Sequence, residues 1–207
     1  MQELLQNIDV SLMYFLNVGL RNPVFNLVMP LFDYDAAWRI PLLLAWLALM
    51  VFGDKRARFI GLGALVLVLV TDPVASHIIK PLTRRIRPCN VLPGLNMWKD
   101  GAWLVIPSPV VEIYRGSYSM PSSHAVNTGA QALYWGFFFP RLKWLWWGLG
   151  ILIGYSRIYD GVHWPADVLL GWLTGGILCA LVAWALVKVS PITKSAAPSR
   201  RRADVEA

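Results

Sequence analysis

Charge is scarce in this chain. Of 207 residues only 15% are Asp, Glu, Lys or Arg, whereas 57% belong to the apolar and aromatic set. A soluble domain carries about 25% charged residues. Too few remain here to wet a globule, so a soluble monomer and a disordered chain are both excluded. Cysteine is limited to Cys89, in a polar stretch, and Cys179, in an apolar run, which excludes a disulfide framework. The opening stretch MQELLQNIDV lacks the basic residues of a secretory signal, so insertion is expected from the internal apolar runs themselves. No internal repeat is found. The little charge present is lopsided, at +7. In a soluble protein this excess would raise nucleic acid as a partner. Here the basic residues fall between apolar runs, so no nucleic acid is expected, and the membrane surface with its anionic headgroups takes that place.

A helix needs about 20 apolar residues to cross the hydrocarbon core. Five runs approach that length: 37–52, 59–79 (interrupted by Asp72-Pro73), 125–140, 144–159 and 166–189. The expected fold class is therefore all-α, a polytopic membrane helical bundle of about five or six spans. Residues 1–36 are read as an N-terminal amphipathic, interfacial segment. Its Leu12, Met13, Phe15, Leu16, Val18 and Leu20 are interrupted by Asp9, Asn17 and Arg21; a sixth crossing within this segment is the alternative. Residues 37–190 form the membrane-embedded domain, and 191–207 a disordered basic tail. Lys55, Arg56, Arg58, Arg141, Lys143, Lys188, Lys194 and Arg200 to Arg202 fall on one side of five alternating spans, which the positive-inside rule makes cytoplasmic.

The opposite face holds the unusual polar residues in three clusters: KPLTRRIRP (80–88), YSMPSSHAVN (118–127) and SRIYDGVHWPAD (156–167). An alternating bundle brings all three to one depth. Lys80, Arg87 and Arg157 suit a multiply charged oxyanion, because guanidinium groups give forked hydrogen bonds and Lys a compact charge. Ser122 and Ser123 sit at a helix start, where unpaired N–H groups and the helix dipole attract anions. His163 and Asp167 are four apart around Pro165, so the carboxylate can fix the imidazole tautomer and stabilise its cation. His163 is then a nucleophile, a phosphohistidine the intermediate, and His124 the acid that protonates the leaving oxygen.

Blander readings stand beside each of these. A lone interfacial histidine is commonly structural, Arg84 and Arg85 suit headgroup anchors, and Pro-Ser-Ser before a helix is commonly just a cap. Gly150 with Gly154, and Gly171 with Gly175, have the spacing of helix contacts inside a bundle. Asp72, costly at its depth, is expected to find a partner on a neighbouring span.

Taken together the clusters are far more specific than any one. Lys80 with Arg87-Pro88 fits K-x6-R-P, residues 121–124 approximate P-S-G-H, and Ser156-Arg157, His163 and Asp167 fit S-R-x5-H-x3-D. Over about residues 60–185 this resembles the type 2 phosphatidic acid phosphatase superfamily of membrane lipid phosphatases. The resemblance implies that Lys80, Arg87 and Arg157 hold phosphate oxygens, with Ser122 and the N–H groups around Ser123 and His124 completing the cradle. It implies attack by His163 supported by Asp167, proton donation by His124, and neither metal nor cofactor. Ser123 replaces the family's usual glycine; a serine still offers its N–H, and helix-start angles suit it.

Placement at the outer end of the spans suits a phosphate on a lipid tail. Arg84, Arg85 and Arg115 add cations that suit a second phosphate or a headgroup, which favours a lipid diphosphate and an undecaprenyl-diphosphate phosphatase-like activity. Lipid A phosphatase and phosphatidylglycerophosphate phosphatase are same-class alternatives. The soluble haloperoxidases that share the site are disfavoured by the spans, and a non-catalytic transporter or lipid-binding scaffold by the intact His124, His163 and Asp167. The expected setting is a bacterial inner membrane with the site facing the periplasm or exterior. Its partners are the bilayer and a lipid phosphate, with no obligate protein partner.

Overall fold

A computed structural model describes residues 2–33 and 35–189. The expected tail, 191–207, lies outside them. The chain is mostly helical: α1 (Gln2–Tyr14), a π-helical turn (Phe15–Gly19), α2 (Pro23–Val28), α3 (Asp35–Phe52), α4 (Lys55–Pro73), α5 (Lys80–Thr83), α6 (Ser123–Phe138), α7 (Lys143–Tyr159) and α8 (Pro165–Val189). Local chemistry sets several starts. Asn22 accepts from Phe25 N at 2.9 Å with Pro23 in the first turn of α2, and Asp54 accepts from Ala57 N at 2.7 Å at the start of α4. Pro73 has no N–H to donate, and a π-helical stretch (Val74–Ile79) follows it at once. Arg84 then ends α5 in the left-handed region, at φ 48° and ψ 27°.

Two helical stretches, Lys55–Asn90 and Pro165–Leu186, are long and apolar enough to cross a membrane. A third crossing results if Pro23–Phe32 and Ala37–Phe52, bent by 57°, act as one. All five apolar runs are helical, but α6 and α7 would measure only roughly 24 and 26 Å against a core of about 30 Å. What the structure carries is therefore a helical bundle with two or three membrane-capable helices. It also holds a small sheet that an all-α reading leaves out. β1 (Asn96–Lys99) pairs antiparallel with β2 (Ala102–Val105). The link between them is Asp100-Gly101, with φ of 51° and 83°. Positive φ at both positions is what a two-residue hairpin requires.

α6 is the central helix, packed against α4, α7 and α8. Its seam with α8 is closed by glycine. A Cβ at Gly175 would lie 2.2 Å from Val126 O, and one at Gly171 would lie 2.7 Å from Ala125 Cβ and 2.9 Å from Ser122 O. Gly154 of α7 is likewise crowded, by Val168 and Trp172, whereas Gly150 meets only ordinary contacts from 3.6 Å outward. The small-residue spacing thus brings backbones together inside the bundle. Farther along, Tyr134 donates to Ile60 O at 3.0 Å and Gln131 to Ala64 O at 3.0 Å, tying α6 to α4. Cys89 and Cys179 are both free and buried.

The N-terminal segment shares the core of the third sequence cluster. Met13 packs in one apolar cluster with Met97, Ile158, Trp164 and Val168. Asn17 is fully buried; its amide donates to Asn96 O, Ile158 O and Tyr159 O at 2.7–3.1 Å and accepts from Asn96 N at 2.8 Å. The other face of α1 exposes Leu4, Leu5, Ile8 and Leu12.

The glycine seam yields a first prediction. Gly175→Ala forces α6 and α8 apart and should destabilise the protein by about 1–3 kcal/mol, the usual cost of overpacking. Gly150→Ala should be neutral or stabilising. Thermal unfolding in detergent checks both, and equal melting temperatures for the two variants would contradict the seam.

Candidate active site

The site assembles where α5 ends and α6 and α8 begin. Arg87 stands in extended backbone (φ −68°, ψ 147°) before Pro88, the conformation a following proline favours. Ser122 is the N-cap of α6; its N–H donates to Asp167 O at 3.1 Å, joining the second cluster to the third. Ser76 and Ser123 hydroxyls lie 3.2 Å apart, and Thr71 is hydrogen-bonded to Asn127, which fixes the start of α6 against the end of α4.

His163 is buried between a carboxylate and a guanidinium. Its Nδ1 lies 3.6 Å from Asp167 Oδ2 and 3.4 Å from Ser119 Oγ, and its Nε2 lies 3.4 Å from Arg87 Nη1. We assign the proton to Nδ1, since Asp167 accepts there and Arg87 can only donate to Nε2. The free lone pair then sits on Nε2, beside the cation. Burial holds the imidazole down to about 3, against the opposing pull of Asp167, so it stays neutral at physiological pH. Neutral is the form that can attack.

Asp167 is fully buried and its carboxylate is saturated. Oδ2 accepts from Ser119 Oγ and, at 2.9 Å, from Trp164 N; Oδ1 accepts from Arg85 Nη1 at 2.8 Å. The three arginines of interest differ in their company. Arg85 bridges two carboxylates, Asp167 and Asp9, the latter at 2.5 Å. Arg157 is buried against Asp33 at 2.6 Å and Asp160 at 3.7 Å. Arg87 is held by neutral acceptors, Val162 O at 2.9 Å and Ser117 Oγ at 3.0 Å, and stacks 5.0 Å from the Tyr114 ring. Among the described residues no carboxylate lies within ion-pair reach of Arg87. A buried guanidinium without a counterion is a seat for an oxyanion.

The remaining expected residues are placed as follows. Lys80 opens α5, half-buried. Ser122 is fully buried and its hydroxyl faces Ala125 N at 3.5 Å in a weak cap, so what the helix start offers an anion is chiefly the first-turn N–H groups of Ser123 and His124. His124 lines a groove of about 720 Å³ with Ser123, Asp72, Arg39, Trp38 and Leu149. Arg84 and Arg115 are exposed at the surface. Arg85 departs from its expected place among the headgroup cations, because its guanidinium is occupied behind Asp167.

Several residues escaped the sequence reading. Ser119 lies inside the second cluster yet carried no expected role. Asp9 read only as an interruption of an apolar run. Asp160 likewise lies inside the third cluster without an expected role, and Asp33 carried no signal. Asp160 is fully buried, and burial pushes its carboxyl up to about 7, with Arg157 opposing and Asp33 adding to the rise. Among the described residues, no group of three His, Cys, Asp or Glu side chains could hold a metal ion.

The chain is similar to several known proteins. The family model described as the PAP2 superfamily matches residues 61–190. An undecaprenyl-diphosphatase of Sulfolobus acidocaldarius is 38% identical over 133 residues, 61% of this chain and 54% of the relative, so the match spans about half of that protein. A lipid A 4'-phosphatase of Bacteroides thetaiotaomicron is 27% identical over 183 residues, 85% of this chain and 76% of the relative. Among solved structures, a PAP2-type phosphatidylglycerolphosphate phosphatase of Bacillus subtilis has a TM-score of 0.61 at 26% identity, covering 90% of this chain and 88% of its own. Aquifex aeolicus LpxE shares the fold, with a TM-score of 0.60 at 21% identity over 86% of this chain and 95% of its own. With its three motifs gathered around one buried imidazole, the chain belongs to the PAP2 superfamily.

Proposed function

We propose that this protein is an integral-membrane lipid phosphatase that works through a phosphohistidine. The observation that carries the reading is the buried His163, with Asp167 behind Nδ1 and, beside Nε2, an Arg87 that has no carboxylate partner among the described residues. Phosphate oxygens are held by Arg87, Lys80 and Arg157 together with the first-turn N–H groups of α6. For Arg157 this means that phosphate competes with Asp33. His163 Nε2 attacks phosphorus, the bond from phosphorus to the leaving oxygen breaks, and His124 gives that oxygen its proton. Water then attacks the phosphohistidine, His124 takes the proton back, and inorganic phosphate leaves with His163 neutral again. Asp167 stabilises the positive charge that the imidazole carries between the two steps.

The groove beside His124 suits a lipid tail, since Trp38, Leu42, Leu69 and Leu149 wall it while His124 and Ser123 stand at its polar part. For the substrate we favour a prenyl diphosphate, supported by the 38% identity to the Sulfolobus undecaprenyl-diphosphatase. Arg84 and Arg115 remain the surface cations for a second phosphate. A lipid A or phosphatidylglycerophosphate substrate is the second reading, favoured by the longer match, 85% of this chain, to the Bacteroides lipid A 4'-phosphatase. We place the protein in a bacterial inner membrane with the site facing the exterior, because Lys55, Arg58, Arg141 and Lys143 sit at the opposite ends of α4, α6 and α7 from the motifs. In this reading residues 37–190 form the phosphatase domain.

Three outcomes are expected. Purified protein in detergent should release phosphate from undecaprenyl diphosphate faster than from phosphatidate, phosphatidylglycerophosphate or lipid A; the reverse order would select the second reading. His163→Ala should lower turnover by about 10⁴-fold or more, as removal of a covalent nucleophile does, while an unchanged melting profile shows that the fold persists. Near-normal phosphate release from that variant would remove the mechanism. Finally, His163 should show no protonation between pH 8 and 5 by histidine-selective NMR. The sign for stability follows from the depressed value: an unfolded imidazole binds a proton near pH 6.5 that the folded one refuses. The folded state therefore loses ground as pH falls from about 6.5 toward 3. A titration midpoint near 6.5 in the folded protein would contradict this.

A further inference from the structure

We propose that Asp9 and Arg85 are positioning residues for catalysis, so that the N-terminal helix is a working part of the active site; this rests on the phosphatase reading above. The path is continuous. Asp9, buried on the inner face of α1, accepts from Arg85 Nη2 at 2.5 Å through Oδ2. Through Oδ1 it accepts from Ala166 N at 2.9 Å, in the first turn of α8. Arg85 turns its other nitrogen, Nη1, to Asp167 Oδ1 at 2.8 Å, and its guanidinium lies 4.9 Å from the Trp164 ring. Gln6, one turn from Asp9 on the same helix, also accepts from Arg85, at 3.2 Å. One carboxylate thus grips both the guanidinium that faces Asp167 and the backbone of the helix that carries Asp167.

The charges explain why two carboxylates are needed. Asp167 is fully buried and requires a cation nearby to remain ionised. Arg85 alone would neutralise it, leaving nothing for the imidazole. With Asp9 added, the cluster keeps a net charge of one negative beside a neutral His163. When His163 attacks phosphorus its ring becomes cationic, and that charge meets the residual negative charge of Asp167. Asp9 therefore acts through Arg85 on Asp167, and through Asp167 on the transition state, without touching substrate.

Two substitutions at residue 9 separate this role from packing. Asp9→Asn keeps the shape and the acceptor for Ala166 N but loses the charge; Asp9→Glu keeps the charge but alters the shape. In full-length protein, with whichever lipid phosphate the wild type hydrolyses fastest, Asp9→Asn should lower kcat about tenfold with KM within about twofold, the size seen when a partner one step behind a functional ligand is removed. Asp9→Glu should retain more activity than Asp9→Asn. In an Asp167→Asn background, Asp9→Asn should cause no more than about a twofold further loss, because the two act as one unit. Activity retained in Asp9→Asn but lost in Asp9→Glu would mean packing alone and would overturn the proposal. So would equal losses in both backgrounds. A raised KM at constant kcat would return Arg85 to headgroup binding. Should Asp9→Asn lose its thermal transition, Arg85→Lys tests the same point, since it keeps a charge but cannot fork between two carboxylates; unchanged kcat there overturns the proposal. Failure of the wild type to release phosphate from any lipid phosphate would sink the phosphatase reading, whereas wild-type turnover with unaffected variants would sink only the relay.

Discussion

The structure depends on keeping one carboxylate ionised away from water. Asp167 has no exposed surface, and an unpaired carboxylate there would cost several kcal/mol. Its donors come from distant parts of the chain: Arg85 after α5, Ser119 before α6, and Trp164 N in the turn that opens α8. Satisfying that one group draws together the exits and entries of three helices. The same burial keeps His163 uncharged; desolvation penalises charge on both groups, and at Asp167 the donors from Arg85, Ser119 and Trp164 offset it.

Around this centre the cations are sorted by their partners. Arg85 and Arg157 each lie among two carboxylates, whereas Arg87, among the described residues, meets neutral acceptors alone. Arg85 is committed to both of its carboxylates, Arg157 must exchange Asp33 for a phosphate oxygen, and Arg87, matched by a carbonyl and a hydroxyl, retains most of its charge for a ligand. Three arginines within a basic stretch of four residues thus have three different environments. Arg84 adopts the left-handed conformation that ends the helix, Arg85 meets Asp167 Oδ1, and Arg87 meets His163 Nε2.

The helix seam supplies the precision that such sorting needs. Backbone contact at Gly171 and Gly175 sets α8 against α6 closely enough for Ser122 N to reach Asp167 O. A side chain at either glycine would separate the anion-binding helix start from the histidine–carboxylate pair. Packing deep in the bundle and chemistry at its rim are therefore one constraint, carried along two rigid helices.

The sequence alone determined the helices and the motif residues, because both are local signals. Apolar runs at 37–52, 59–79, 125–140, 144–159 and 166–189 each fold as helix over nearly all their length, since a long apolar run must satisfy its backbone internally. His163 and Asp167 are four residues apart about a proline, so their pairing needed only one helical turn. The hairpin at 96–105 was legible in principle, from Asp100-Gly101 flanked by Trp98 and Trp103, but it is too short to stand out beside the membrane helices. What only the tertiary structure decided is which charge faces which. Asp9 meets Arg85 across 76 positions and Asp33 meets Arg157 across 124. Side-chain identity says that a carboxylate wants a cation; only the folded backbone, by fixing direction and distance, chooses the partner.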